Sequence, residues 1–238
     1  MKGVILAGGK GTRLFPLTAV TNKHLVPVGR LPMIEYPLFT LQSLKVQSVS
    51  IVTGGEHFDN VSKYLESLHG ETRFSYHNQA EAGGIAQALG LTCPFVRDSR
   101  IAVILGDNIF EDDFSQSARE FESSDLSVML FLKRVPDPER FGVAEVKDGK
   151  IVSIEEKPKS PKSDLAVTGI YFYGSDVFDK IKSLKPSARG EYEITDVNNE
   201  YLRQGKLGYR VVNGFWSDAG IPESLLECAN WVKENKVS

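Results

Sequence analysis

Cysteine is scarce in this 238-residue sequence, where only Cys93 and Cys228 occur, far apart and with neither a CxxC partner nor paired histidines nearby. A disulfide framework and a structural zinc site are therefore not expected. Charge of one sign is lacking too, the formal net charge being -3. No overall field draws the chain to a nucleic-acid backbone or an acidic membrane, so neither is expected as a partner. No apolar run approaches the roughly 20 residues that span a bilayer. The opening run Met1 to Gly8 is too short for a signal peptide and is broken at once by glycine, so it reads as a first buried strand. A cytoplasmic protein is expected. Low-complexity segments and Pro/Gly/Ser linkers between separate cores are also missing, which argues for one domain over residues 1–238. The hydrophobic content of 41% is ordinary for a chain that buries a sizeable core.

Strands are expected at Gly3 to Ala7, Ser48 to Thr53, Ile101 to Leu105, Leu126 to Leu132, Val143 to Val146, Ile151 to Glu155, Ala166 to Tyr173 and Leu207 to Val212. Runs such as Ile101-Ala102-Val103-Ile104-Leu105 are apolar without alternation, as in strands covered on both faces. The spacing Phe58, Val61, Leu65, Leu68 puts apolar groups on one helix face, and Val177, Ile181, Leu184 repeats the pattern. Alternating strands and helices indicate the α/β class: a three-layer α/β/α sandwich around a Rossmann-like, mainly parallel mixed sheet. Lys147-Asp148-Gly149-Lys150 adds an Asp-Gly hairpin signal. Pro222 to Ser238 reads as one closing helix.

The strand at Gly3 to Ala7 runs into Gly8-Gly9-Lys10-Gly11-Thr12-Arg13, where glycines allow positive φ and let backbone N–H groups approach an anion. Alone this stretch serves equally as a tight turn, since it matches neither the P-loop nor GxGxxG. Arg13 adds a guanidinium suited to phosphate oxygens, and Lys23, in Asn22-Lys23-His24-Leu25-Val26-Pro27-Val28, adds a second cation. Singly, each would serve as a solvated surface charge. Asp107, in Gly106-Asp107-Asn108, follows a buried strand at its carboxyl end, where open α/β sheets place ligand crevices. Asp218, in Phe215-Trp216-Ser217-Asp218-Ala219-Gly220, offers a second carboxylate, and two carboxylates plus substrate phosphates are a usual way to hold Mg²⁺. Either aspartate could instead be a turn or cap residue.

Leu6 to Thr18 together with Asn22 to Val28 resembles the opening motif of the sugar-1-phosphate nucleotidyltransferases. Members of that family often carry proline where this chain has Asn22. Gln79-Ala80-Glu81-Ala82-Gly83-Gly84, Phe141-Gly142-Val143-Ala144, Ile154-Glu155-Glu156-Lys157-Pro158, Ala166-Val167-Thr168-Gly169 and Ala188-Arg189-Gly190-Glu191 follow in family order. The resemblance runs from Gly3 to about Gly220, is greatest to the glucose-1-phosphate thymidylyltransferases, and is to a short form of them. It implies a nucleotide-diphospho-sugar transferase fold with nucleotide contacts at Leu6, Gly8, Gly9, Gly11, Thr12, Arg13, Gln79, Gly84 and Asp107. It implies sugar-phosphate contacts at Asn108, Gly142, Glu156, Lys157, Val167 and Arg189, with Asp107 and Asp218 on Mg²⁺.

The implied catalytic groups are Arg13, Lys23, Asp107 and Lys157. The implied substrates are dTTP and glucose 1-phosphate, the products dTDP-glucose and pyrophosphate, and the expected assembly a homo-oligomer. A side-chain amide at Gln79 suits the imide edge of thymine or uracil. Uridylyl or other nucleotidyl transfer to another sugar 1-phosphate stays open, as does a non-catalytic sugar-nucleotide sensor. A metal-dependent glycosyltransferase would want a DxD motif, which Asp112-Asp113 is not.

Overall fold

Residues 1–55, 58–68 and 70–235 are described by a computed structural model. Strand β1 (Lys2–Ala7) leads through short 3-10 turns to β2 (Pro27–Val28), β3 (Leu31–Pro32), α1 (Glu35–Ser43), β4 (Ser48–Thr53), α2 (Phe58–Ser67) and β5 (Arg73–Asn78). Next come α3 (Ile85–Gly90), α4 (Cys93–Val96), β6 (Ile101–Leu105), β7 (Asn108–Phe110), α5 (Ser115–Glu122) and β8 (Val128–Arg134). The hairpin β9 (Gly142–Lys147) and β10 (Lys150–Glu156) precedes β11 (Leu165–Tyr173), α6 (Val177–Ser183), α7 (Ile194–Arg203), β12 (Leu207–Val211), β13 (Trp216–Asp218) and α8 (Pro222–Glu234). Of the expected closing helix, residues 236–238 lie outside the described residues.

Among the described residues nine strands share one sheet in the order β10-β9-β11-β6-β1-β4-β5, with β8 joined to β11 and β12 to β8. The half around β1 is parallel, because β1 pairs with β4 and β6, and β4 with β5. Val4, Ile5, Val103 and Ile104 are wholly buried there, which is why these strands read as unbroken apolar runs. The other half turns antiparallel about β11, which pairs with β6, β8 and β9. One apolar cluster packs α3, α6 and α7 on one face through Leu89, Phe178 and Val197; the other packs α1, α2 and α5 through Leu41, Leu65 and Phe121. The sandwich is thus three-layered. A third cluster, with Val28, Ile109, Cys228 and Val232, seats α8 over β2 and β7.

The Asp148-Gly149 signal is a hairpin turn in the structure, both residues having positive φ (50° and 72°) between paired Lys147 and Lys150. Among the described residues five strands lie outside the sequence expectations: the two-residue pair β2 and β3, together with β5, β7 and β13. β5 is bonded on one side only, to β4, and its half-polar Arg-Phe-Ser-Tyr-His-Asn sequence suits an edge rather than a core. β7 and β13 are three residues each and exist because they pair with one another across the chain. No described helix is long and apolar enough to cross a membrane.

Candidate active site

The β7–β13 ribbon brings the two aspartates together. β6 ends at Leu105, Gly106-Asp107 turns into β7, and Asp218 at the end of β13 stands opposite Asn108. Ala219 N–H donates to the Asp107 carbonyl at 2.8 Å, closing the junction. A Cβ on Gly220 would lie 3.5 Å from Arg13 Nη2, 3.5 Å from Asp218 Oδ2 and 3.6 Å from Asp107 Oδ2. Two carboxylates and a guanidinium therefore surround a single point, which only a residue without a side chain leaves clear.

Lys23 reaches the same centre from a 3-10 turn, Lys23–Leu25, and its Nζ lies 2.6 Å from Asp107 Oδ2. Asn22 caps that turn: Oδ1 accepts from His24 N–H at 2.9 Å and lies 2.8 Å from His24 Nδ1, while Nδ2 donates to Thr53 Oγ1 at 3.1 Å. The lysine is held by its neighbours where a proline ring would otherwise stiffen the loop. Burial, then the Lys23 charge, depress the His24 pKa to about 3, so at neutral pH its ring is uncharged.

The two aspartates differ in their electrostatics. Burial opposes ionisation of Asp107, but Lys23 and hydrogen bonds from Lys23 and Asn108 outweigh it and hold the carboxyl well below its ordinary range. Asp218 is raised, by burial first and then by the Asp107 charge, against the opposing pull of Arg140, Arg13 and Lys23. That residual repulsion between carboxylates facing one point is what a divalent cation would offset. Among the described residues no three or more His, Cys, Asp or Glu converge on a metal position. A cation here would take its remaining ligands from water and phosphate, a coordination that suits Mg²⁺ better than an all-protein cage.

Asp107 also stands where two cavities, of about 220 and 190 Å³, adjoin, lining both with Ile85 and Leu105. The first cavity is bounded by Leu6, Gly8, Gly9, Lys23, Gln79 and Gly84. Gly9 has φ 96° with open space beside it, whereas a Cβ on Gly8 would run into Gln79 Oε1. Gln79 is oriented by Gln87, whose Oε1 accepts from Gln79 Nε2 at 2.9 Å and from Gly83 N–H at 3.0 Å. The remaining acceptor, Gln79 Oε1, thus sits over the glycine turn.

Arg13, Asn108, Gly142, Glu156, Lys157, Val167 and Asp218 line the second cavity. Glu156 Oε2 accepts from Thr195 Oγ1 at 2.6 Å, and Oε1 lies 3.6 Å from Arg189 Nη1 and 4.0 Å from Lys157 Nζ. Lys157 has φ 44°, uncommon for a side-chain-bearing residue, and its N–H donates to the Phe141 carbonyl at 2.9 Å. Asn108 is largely committed to the scaffold: Oδ1 accepts from Gly169 N–H at 3.0 Å and Trp216 Nε1 at 2.7 Å, and Nδ2 donates to Asp107 Oδ1 at 2.9 Å.

Of the residues singled out in the sequence, Gly11, Thr12 and Arg189 line neither cavity. Gly11 instead lets the loop approach Lys23, where a Cβ would be 2.8 Å from Lys23 Cβ, and Arg189 is tied to Glu191 at 3.1 Å and Glu193 at 3.4 Å. Sequence reasoning missed Arg140, which holds Asp137 at 2.7 Å and Asp218 at 3.1 Å, and the α7 residues Ile194, Thr195 and Asn198. The signals were slight: Arg140 precedes Phe141-Gly142, and Glu191 to Asp196, which resembles a family helix start without a site role attached, leads into Asn198.

The nucleotidyl transferase family pattern matches residues 2–235. The chain is 43% identical over 242 residues to a glucose-1-phosphate thymidylyltransferase of Neisseria meningitidis, covering 98% of this chain and 83% of that one. It is 40% identical over 238 residues to the Mycobacterium tuberculosis protein of the same name, covering 98% and 82%. Among solved structures, a candidate glucose-1-phosphate thymidylyltransferase from Bacillus anthracis, in complex with a sucrose, superposes with TM-score 0.93 at 52% identity over 98% of this chain and 96% of that one. A UDP-glucose pyrophosphorylase complexed with UDP-glucose shares the fold at TM-score 0.88 and 23% identity, over 98% of each chain.

Proposed function

The chain belongs to the nucleotidyl transferase family, and from that membership and the divided cleft we propose that it joins dTTP to glucose 1-phosphate, giving dTDP-glucose and pyrophosphate. The observation that carries the reading is the position of Asp107 on the ridge between the two cavities, with Arg13, Lys23 and Asp218 converging on it. The first cavity takes the nucleotide. Gln79 Oε1 accepts from the N3–H of thymine, and Gly8 and Gly9 admit the phosphates. The second takes the sugar phosphate, with Glu156 accepting sugar hydroxyls and Lys157 meeting the phosphate, while Arg189, outside the cavity lining, acts through its 3.6 Å contact with Glu156.

In the reaction a phosphate oxygen of glucose 1-phosphate attacks the α-phosphorus of dTTP. A new P–O bond forms, the bond to the β-phosphate oxygen breaks, and pyrophosphate leaves with that electron pair. The nucleophile is already an anion, so neither a general base nor a covalent enzyme intermediate is required. Catalysis consists of positioning and of neutralising charge by Arg13, Lys23 and Lys157. Asp107 and Asp218 would hold Mg²⁺, which when bound supplies positive charge to the phosphate oxygens.

Pyrophosphate release across dTTP, UTP, CTP, ATP and GTP and a panel of sugar 1-phosphates, with and without Mg²⁺, tests this. The highest kcat/KM is expected for dTTP with glucose 1-phosphate, only with metal. Binding without turnover would make the protein a sensor instead. Lys23→Ala and Asp107→Ala are each expected to lower kcat on the order of 10²-fold or more while the protein stays folded. A cytoplasmic location and a homo-oligomer belong to the same proposal; unbridged Cys93 and Cys228 and exposed apolar side chains such as Leu226 favour them. Light scattering on the purified protein checks the assembly.

A further inference from the structure

Helix α7 lines one wall of the second cavity with Ile194, Thr195 and Asn198, the last lying one turn beyond the first two. Thr195 is spent on Glu156. Asn198 is 1% exposed, and its Oδ1 accepts from the Tyr173 hydroxyl at 2.6 Å, but its Nδ2 has no hydrogen-bond partner among the described residues. Buried amide donors are nearly always paired, and each exception calls for an explanation. The acceptor half of the amide serves the buried Tyr173 hydroxyl, which an aliphatic side chain would leave unpaired, but no described residue uses the donor half.

Tyr173 is wholly buried and, its hydroxyl being pushed well above the ordinary tyrosine range by burial, keeps its proton; in this geometry the hydroxyl donates to Asn198 Oδ1. The amide oxygen is thereby engaged and the nitrogen left free. In the same cavity Glu156 supplies an acceptor. A neutral donor near a carboxylate complements a hydroxyl, which accepts from one group and donates to another.

We propose that Asn198 is a specificity-determining residue for the sugar 1-phosphate, its Nδ2 donating a hydrogen bond to one ring hydroxyl while Tyr173 fixes the amide. The proposal rests on the second cavity being the sugar site. It names a group that rejects analogues lacking or inverting that hydroxyl, because they leave the buried donor unpaired.

The test measures kcat/KM for the wild-type protein, Asn198→Ala and the isosteric Asn198→Asp with glucose 1-phosphate and its 2-, 3-, 4- and 6-deoxy analogues. Asn198→Asp keeps the acceptor for Tyr173 and removes the donor, so it serves if Asn198→Ala does not fold. With the wild-type protein one analogue is expected to lose about tenfold or more. Each variant loses a similar factor on glucose 1-phosphate, and that same analogue then suffers little further loss, with the KM for dTTP unchanged. Losses that multiply equally for every analogue would assign Asn198 to packing and overturn the proposal, as would variants that behave like wild type. Glu156→Ala separates the two levels. If it raises the KM for glucose 1-phosphate while the Asn198 variants do nothing selective, only this proposal fails; if it leaves that KM unmoved, the sugar-site reading fails with it.

Discussion

A methyl group on Gly8 would collide with Gln79 Oε1, the end of a side chain rather than backbone. Gly8→Ala is therefore expected to cost little stability but to displace the amide, raising the KM for dTTP about tenfold, or ~1.4 kcal/mol, and leaving that for glucose 1-phosphate unchanged. Steady-state kinetics in each substrate would show this, and equal rises in both would contradict the separation of cavities. The two aspartates make a sharper contrast. Asp107 has a folded-state pKa below its unfolded value, so its ionised form stabilises the protein above about pH 4 and that contribution is lost in strong acid. Asp218 has a raised pKa, so its charge opposes folding at neutral pH and the penalty fades as pH falls through its folded pKa. Without divalent metal, Asp218→Asn should raise Tm at pH 7 and lose that advantage on acidification, whereas Asp107→Asn should lower Tm. Both variants should lose on the order of 10²-fold in kcat with metal. A lower Tm for Asp218→Asn at pH 7 would contradict the repulsion argument. At this scale the sequence was informative about identity: Asp107, Asp218, Lys23 and Arg13 were all legible as candidates. It was silent on Asn22 as a clamp, since that follows from Thr53 and His24 lying against it.

Among elements, β11 shows how backbone irregularity serves a site. Its pairing with β8 slips between Val167 and Tyr171, and within that interval Gly169 N–H donates to Asn108 instead of to a strand. A Cβ on Gly169 would stand 2.6 Å from Asn108 Cγ, with the amide 2% exposed and unable to swing away. Gly169→Ala is expected to destabilise the fold by about 1–3 kcal/mol, a Tm loss of roughly 2–12 °C. It should also lower kcat, because Asn108 no longer supports Asp107 Oδ1. Calorimetry together with turnover would check this, and a variant with normal Tm and kcat would show that the Asn108 link is dispensable. Buried strands and the hairpin were legible because apolar runs and an Asp-Gly turn are local signals. β7, β13 and the slip in β11 were not, since three-residue pairings and a single diverted N–H draw their stability from partners distant in sequence.

For the whole molecule the consequence is a cleft with two compartments and a shared ridge at Asp107. At about 100 times Kd a ligand adds ~2.7 kcal/mol of stability, so dTDP-glucose is expected to raise Tm by roughly 5–11 °C. Glu156→Ala should remove the shift given by glucose 1-phosphate and spare that given by dTTP; loss of both shifts would mean that the compartments are not independent. The sequence by itself determined the α/β class, the order of the motifs and the residue types available for phosphate and metal chemistry, because apolar periodicity, glycine turns and acidic strand ends are local properties of the chain. Only the tertiary structure decided that Asp107 and Asp218 face one point, that Lys23 pairs with Asp107, that Arg140 restrains Asp218 and that Asn198 is left with an unpaired donor. Those relations depend on distances between groups far apart along the chain, and packing of the sheet against its two helical layers sets such distances.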